Sequence, residues 1–204
     1  YYHDGTTRSS LESFDAEDTT NMGQHLTNVA VQKQNKALYA SSKEELRLSF
    51  DGKGGLGDIL RQEFPQHPDP MEDVRAQIRH AIATVFLSDA DELASTQFTD
   101  RSFSLIGGDF IIDDDLRVWL LEIQEGPVRS TMTDATLSLW LDMTAEQLDI
   151  FFEIEAAVAA GKEVPRNLAS VRNFQLVVDD DGEVMSDLTG LPIAKSILEG
   201  DGRY

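Results

Sequence analysis

Asp109, Glu122 and Gln124 interrupt the apolar stretch "SFSLIGGDFIIDDDLRVWLLEIQEGP" over residues 102–127 with side-chain oxygen donors. It reads as two apolar strands folded back on each other, with three aspartates at the tip. A carboxylate inside an apolar strand is costly unless it is paired, hydrogen-bonded or bound to a metal. A two-residue turn centred between Asp114 and Asp115 would set Asp109 opposite Leu120. Alternation would then gather Asp109, Leu120, Glu122 and Gln124 on one face, and Phe110, Ile112, Trp119, Leu121 and Ile123 on the other. A three-residue turn would send Glu122 to the wrong face, so the inference depends on register. Two carboxylates and an amide oxygen on one patch are hard donors that suit Mg²⁺ and leave room for phosphates and water. The plainer alternative is an edge hairpin whose acids are solvated. Asp113, Asp114 and Asp115 read as turn residues.

The rest of the chain reads as helices, strands and turns around this hairpin. The opening "YYHDGTTRSS" predicts a hairpin turning at Asp4-Gly5. "HLTNVAVQK" predicts a short strand leading into a connection, and "LRLSF" alternates like a strand although "SSKEELRLSF" could open a helix. "DPMEDVRAQIRHAIATVFLSDADEL" is the clearest helix. Asp69 is a plausible N-cap, Pro70 suits the first turn, and Glu72 can complete a capping box. Val74, Ile78, Ala81, Ile82, Val85 and Phe86 form its apolar stripe. "TMTDATLSLWL" and "TAEQLDIFFEIEAAVAAG" predict two helices, the second opened by Thr144 with Gln147 and stopped at Gly161. "NFQLVV-DDDG-EVMSDL" predicts a further hairpin.

Composition bounds the rest. The chain has 204 residues, no cysteine, 41% hydrophobic residues and a formal charge of −20. The length suits one large domain or one and a half small ones, and disulfides and thiolate metal sites are excluded. The charge argues against nucleic-acid binding and against docking to anionic lipid, and the longest apolar runs are strand-length. Cations and metals would be attracted. The chain lacks an initiator Met and reads as a fragment or processed form. "DGKGGLGDIL" contains a literal G-x-G-x-x-G at Gly52–Gly57, but the next element is a helix where a dinucleotide fold needs a strand, so it reads as a connection. His3, His25, His67 and His80 show no metal-ligand spacing, and no G-x-S-x-G supports a hydrolase.

"HLTNVAVQK" and the hairpin together are specific. The pair resembles the tubulin–tyrosine ligase-like family, whose fold is ATP-grasp. That family shows an H-L-T-N segment followed by a short apolar stretch ending in Lys, here His25, Leu26, Thr27, Asn28 and, after the apolar stretch, Lys33. Its later hairpin has the form F-x-L-x-G-x-D-x-x-x-D-x-x-L-[KR]-x-W-L-[LI]-E-[VI]-N-x-x-P. Here that is Phe103, Leu105, Gly107, Asp109, Asp113, Leu116, Arg117, Trp119, Leu120, Leu121, Glu122, Ile123, Gln124 and Pro127. An arginine precedes the H-L-T-N segment, and Arg8 occupies that place. The resemblance implies ATP-dependent activation of a carboxylate to an acyl phosphate, which an amine then attacks. It implies Asp109, Glu122 and Gln124 as magnesium ligands and His25, Leu26, Thr27 and Asn28 as the lining of the ATP site. It implies Arg8 near the terminal phosphate or the activated carboxylate. Gln124 stands where the family has Asn, and Gly108 replaces a bulky residue.

The expectation is an α+β fold: the C-terminal portion of an ATP-grasp domain, an antiparallel sheet with packed helices. Residues 1–160 would form that portion, and 161–204 a C-terminal extension with a hairpin in the same globule. The leading function is a ligase that adds an amino acid, tyrosine or glutamate, to a protein tail such as tubulin, with ATP and Mg as cofactors. Its partner would be a protein acceptor or the missing N-terminal half, with no nucleic acid and no membrane, and its location cytoplasmic or cytoskeletal. The alternative is a non-catalytic, ligase-derived structural or interaction module.

Overall fold

A computed structural model describes residues 1–88, 103–126 and 134–179. The described residues form helices α1 (Met22–His25), α2 (Val29–Gln32), α3 (Lys36–Ser42), α4 (Leu56–Glu63), α5 (Pro70–Ser88) and α6 (Asp134–Ala159). A two-stranded antiparallel sheet joins β1 (Ile106–Ile112) to β2 (Val118–Glu125). This mixture is compatible with an α+β fold. The chain divides into two units: residues 1–3, 66–129 and 146–204 in one, 4–65 and 130–145 in the other. The expected hairpin over residues 173–188 falls outside the described residues from position 180 onward.

In the first unit α5 is the principal helix. Asp69 caps it, its carboxylate accepting from Glu72 N at 3.2 Å, and Pro70 opens it because the first turn has no use for the missing N–H. Met71, Val74, Ile78 and Ala83 are buried. The buried face is therefore rotated from the expected stripe: Ile82 and Val85 are half-buried, and the small Ala83 takes an inward place. Gln77 ties α5 to the hairpin, donating from Nε2 to Leu116 O at 2.9 Å and accepting from Val118 N at Oε1 at 3.0 Å.

The two helices expected over residues 131–161 are one. Thr144 and Gln147 lie inside α6, because two helix-forming stretches without an intervening breaker propagate as a single ladder. Gly161 ends it at φ 64°, where a residue without Cβ is free of strain. One stripe of α6 carries Glu146, Asp149 and Glu153, spaced to share a helix face. Glu153 accepts from Ala169 N, Ser170 N and Ser170 Oγ at 2.9, 2.8 and 2.5 Å. Asp149 meets Arg172 at 3.0 Å. Glu146, fully buried, accepts from the backbone N–H groups of Arg172, Asn173 and Phe174 at a single oxygen. The strap so held pairs with the chain start: His3 N donates to Asn173 O and Gln175 N to Tyr1 O.

In the second unit, residues 5–9 run antiparallel to 46–50. Phe50 N donates to Gly5 O, Thr7 N to Leu48 O and Ser9 N to Leu46 O. The opening segment is thus not a hairpin closed on itself. Tyr2 bridges Phe174 within the first unit and Thr6 bridges Ser49 within the second; each arm satisfies its backbone against a distant segment. Lys43–Leu46 forms a 3₁₀ turn before that pairing. The glycine run is a connection: Gly54 sits at φ 70°, Gly54 N donates to Asp58 Oδ2 at 2.7 Å, and Gly55 caps α4.

Candidate functional site

The hairpin turn is organised by Asp113. Its Oδ1 accepts from Asp115 N and Arg117 N at 3.0 and 2.8 Å, and its Oδ2 from Trp119 Nε1 at 2.9 Å. The Trp119 indole donor first, then the Arg117 amide, hold this carboxyl below its ordinary value. Leu116 adopts φ 62° and is nevertheless buried. The loop therefore spans residues 113–117 rather than two residues, which by itself would displace Glu122 to the far face.

A bulge compensates. The register runs Ile112↔Val118, Ile111↔Trp119 and Phe110↔Leu120, then shifts so that Asp109 faces Glu122 and Gly107 faces Gln124. Leu121 is the extra residue on β2, and one extra residue restores the face that the longer loop had lost. Directly opposed residues share a face, so Asp109, Glu122 and Gln124 lie together. The grouping differs from the expectation in two respects: Asp109 opposes Glu122 instead of Leu120, and Trp119 with Ile111 joins the carboxylate face. Gly108 is explained by packing, since a Cβ there would come within 2.8 Å of the Phe110 ring.

Among the described residues, the side chains of Asp109, Glu122 and Gln124 have no hydrogen-bond or ion-pair partner. Opposed like charges destabilise a strand pair unless a cation lies between them. Their donor set, two carboxylates and an amide oxygen, fits Mg²⁺, which is usually held by a few carboxylates with the remaining positions left to water and phosphate. No cluster of three or more His, Asp or Glu suited to a metal occurs among the described residues.

The remaining expected site residues lie in the other unit. "HLTNVAVQK" is not a strand: it holds the end of α1, a three-residue connection and α2. Asn21 caps α1 by accepting from Gly23 N, and Asn28 caps α2 by accepting from Ala30 N at 2.8 Å. Two side-chain caps within eight residues favour turns over an extended ladder. His25 donates from Nε2 to Asp18 O at 2.6 Å and meets the Phe14 ring edge-on. Leu26, Thr27 and Asn28 are exposed. Gln32, which sequence reasoning missed, anchors the segment. Fully buried, it donates to Gly23 O and Leu26 O at 2.8 and 2.6 Å and accepts from Leu11 N at 3.0 Å. A glutamine inside an apolar run was the available signal. Arg8 is exposed on the paired segment.

The amino-acid sequence matches the profile of the Tubulin-tyrosine ligase family over residues 1–158. The chain belongs to that family. It is 27% identical over 196 residues to "Protein polyglycylase TTLL10" of Macaca fascicularis, covering 93% of this chain and 30% of that protein. It is 26% identical over 196 residues to "Inactive polyglycylase TTLL10" of Homo sapiens, covering 93% and 28%. It is 30% identical over 128 residues to "Probable tubulin polyglutamylase TTLL2" of Mus musculus, covering 62% and 22%. The chain thus spans less than a third of the length of these relatives. Among the described residues no helix is long and apolar enough to cross a membrane.

Proposed function

We propose that the chain is the C-terminal portion of an ATP-grasp ligase domain that adds an amino acid, glycine or glutamate as the relatives' names suggest, to a protein tail such as that of tubulin. The observation that carries this reading is the opposition of Asp109 to Glu122, with Gln124 two residues along the same face. The two carboxylates and the Gln124 amide oxygen would hold Mg²⁺, whose charge would offset that of the ATP phosphates. In the reaction a carboxylate oxygen attacks the terminal phosphorus and ADP leaves. The incoming amine then attacks the acyl carbon, inorganic phosphate leaves, and the nitrogen loses a proton. The Arg8 guanidinium offers forked donors suited to a phosphate or an activated carboxylate. The Asn28 cap and the Gln32 bond to Leu26 O would brace residues 25–28 as one wall of a nucleotide site.

A second reading is a non-catalytic, ligase-derived module. Gln124 in place of Asn lengthens the side chain by a methylene beside a metal that wants near-ideal octahedral geometry, and a human relative carries the name of an inactive enzyme. The test uses the full-length protein. ATP binding is measured by calorimetry with and without Mg²⁺, and amino-acid incorporation into an acceptor by mass spectrometry. The ligase reading expects Mg²⁺-dependent ATP binding, abolished by Glu122→Gln and preserved or improved by Gln124→Asn. Absence of ATP binding in the unsubstituted protein would overturn it in favour of the non-catalytic module.

A further inference from the structure

The paired segments of the second unit place Arg8 directly opposite Arg47. The ladder is defined by Gly5 with Phe50, Thr7 with Leu48 and Ser9 with Leu46. Positions 8 and 47 therefore form the intervening non-hydrogen-bonded pair, the closer of the two antiparallel spacings, with side chains on one face. Like charges in that relation repel. Neither arginine has a carboxylate partner among the described residues, although the chain carries 37 acids against 17 basic residues. The Nε of Arg47 is buried and without a hydrogen-bond partner. Burial first, and the Arg8 charge second, hold Arg47 below its ordinary value. Both effects work against a charged group, and both are relieved by a shared anion. Lys33 lies over the Tyr39 ring at 5.5 Å, and Tyr39 is itself close enough to Arg47 to favour its charged form.

We propose that Arg8 and Arg47 together form an oxyanion site, in which two planar guanidinium forks take one phosphate or carboxylate group. Arg47 is its second arm, which no motif in the sequence marks. A single arginine grips an oxyanion from one side. Two opposed forks enclose it and fix its orientation, and the bound charge removes the repulsion between them. The site rests on the ligase reading only for what the anion does, and its existence is tested without turnover.

The experiment follows thermal unfolding of the full-length protein without Mg²⁺ against inorganic triphosphate in one series and glutarate in another. Ionic strength is held constant with chloride. Saturable stabilisation by either probe is expected. Its half-maximal concentration should rise by about tenfold in Arg47→Gln, the loss expected for one charge-assisted contact. Arg8→Gln should do the same, and Lys162→Gln, an exposed charge in the other unit, should not. Without anion, Arg47→Gln should raise the unfolding midpoint, because the repulsion is gone. The more effective probe identifies the source as a phosphate or a carboxylate. Stabilisation by neither probe overturns the proposal, as does an equal response in Arg47→Gln and Arg8→Gln compared with the unsubstituted protein. Arg-dependent anion binding in a protein that shows no ATP binding would sink the ligase reading and leave this site standing.

Discussion

Glu146 should be among the most costly residues to alter, although no motif singles it out. Its Oε1 accepts from Arg172 N, Asn173 N and Phe174 N at 2.6, 2.7 and 2.8 Å. The residue is fully buried. Burial pushes its carboxyl up, but the three N–H donors outweigh that and hold it below its ordinary value. Glu146→Gln keeps the shape and one acceptor but removes the charge. Charge-assisted bonds contribute about 1.5–3 kcal/mol and neutral ones about 0.5–1.5. Because the three bonds share one oxygen, they are less than additive, and the expected loss is about 2 kcal/mol. Glu146→Ala leaves three N–H groups unpaired at roughly 1–3 kcal/mol each. Arg172 is exposed and the next two residues are half-buried, so water reaches part of the strap and the lower end applies, about 3 kcal/mol. For a chain of this size that lowers the midpoint by about 6–12 °C. The carboxyl is depressed in the fold, so its contribution is fully present above the unfolded pKa of about 4.3 and is lost as pH falls through the lower folded value. Urea unfolding at pH 7 and at pH 3 should therefore show the gap between the unsubstituted protein and Glu146→Gln closing in acid. A Glu146→Gln protein as stable as the parent at pH 7, or a gap independent of pH, would refute the assignment of this stability to a charged triple acceptor.

Ile78→Ala, at a buried position of α5, should destabilise by about 2–5 kcal/mol. A loss below about 1 kcal/mol in chemical denaturation would make the helix peripheral. Leu116 combines a buried side chain with φ 62°, a backbone that costs a non-glycine residue about 1–2 kcal/mol. Leu116→Gly loses the packing but gains that relief, so it should be no more destabilising than Leu116→Ala, against the usual order. Unfolding midpoints that put glycine well below alanine would show that the strain is absent.

The family and the hairpin could be read from the sequence alone because both rest on local residue types. Phe103 through Gln124 keep their spacing whatever the rest of the chain does. α5 announced itself through Asp69, Pro70 and a helical apolar period, and Gly161 through the one backbone conformation that favours glycine. The facing of Asp109 and Glu122 could not be derived in this way. It depends on a five-residue loop, closed by Asp113 and a strained Leu116, and on a bulge at Leu121 that offsets it. Each changes the register by one residue, and alternation along a strand is blind to a pair of compensating shifts. The short helices α1 and α2 escaped because Val29 and Val31 favour a strand locally, whereas Asn28 and the buried Gln32 satisfy the backbone only in the folded turn. Arg47 and Glu146 were invisible for a more general reason. Their partners lie 39 and 26–28 positions away, and a hydrogen bond or a repulsion between residues so far apart exists only after tertiary pairing has brought the segments together.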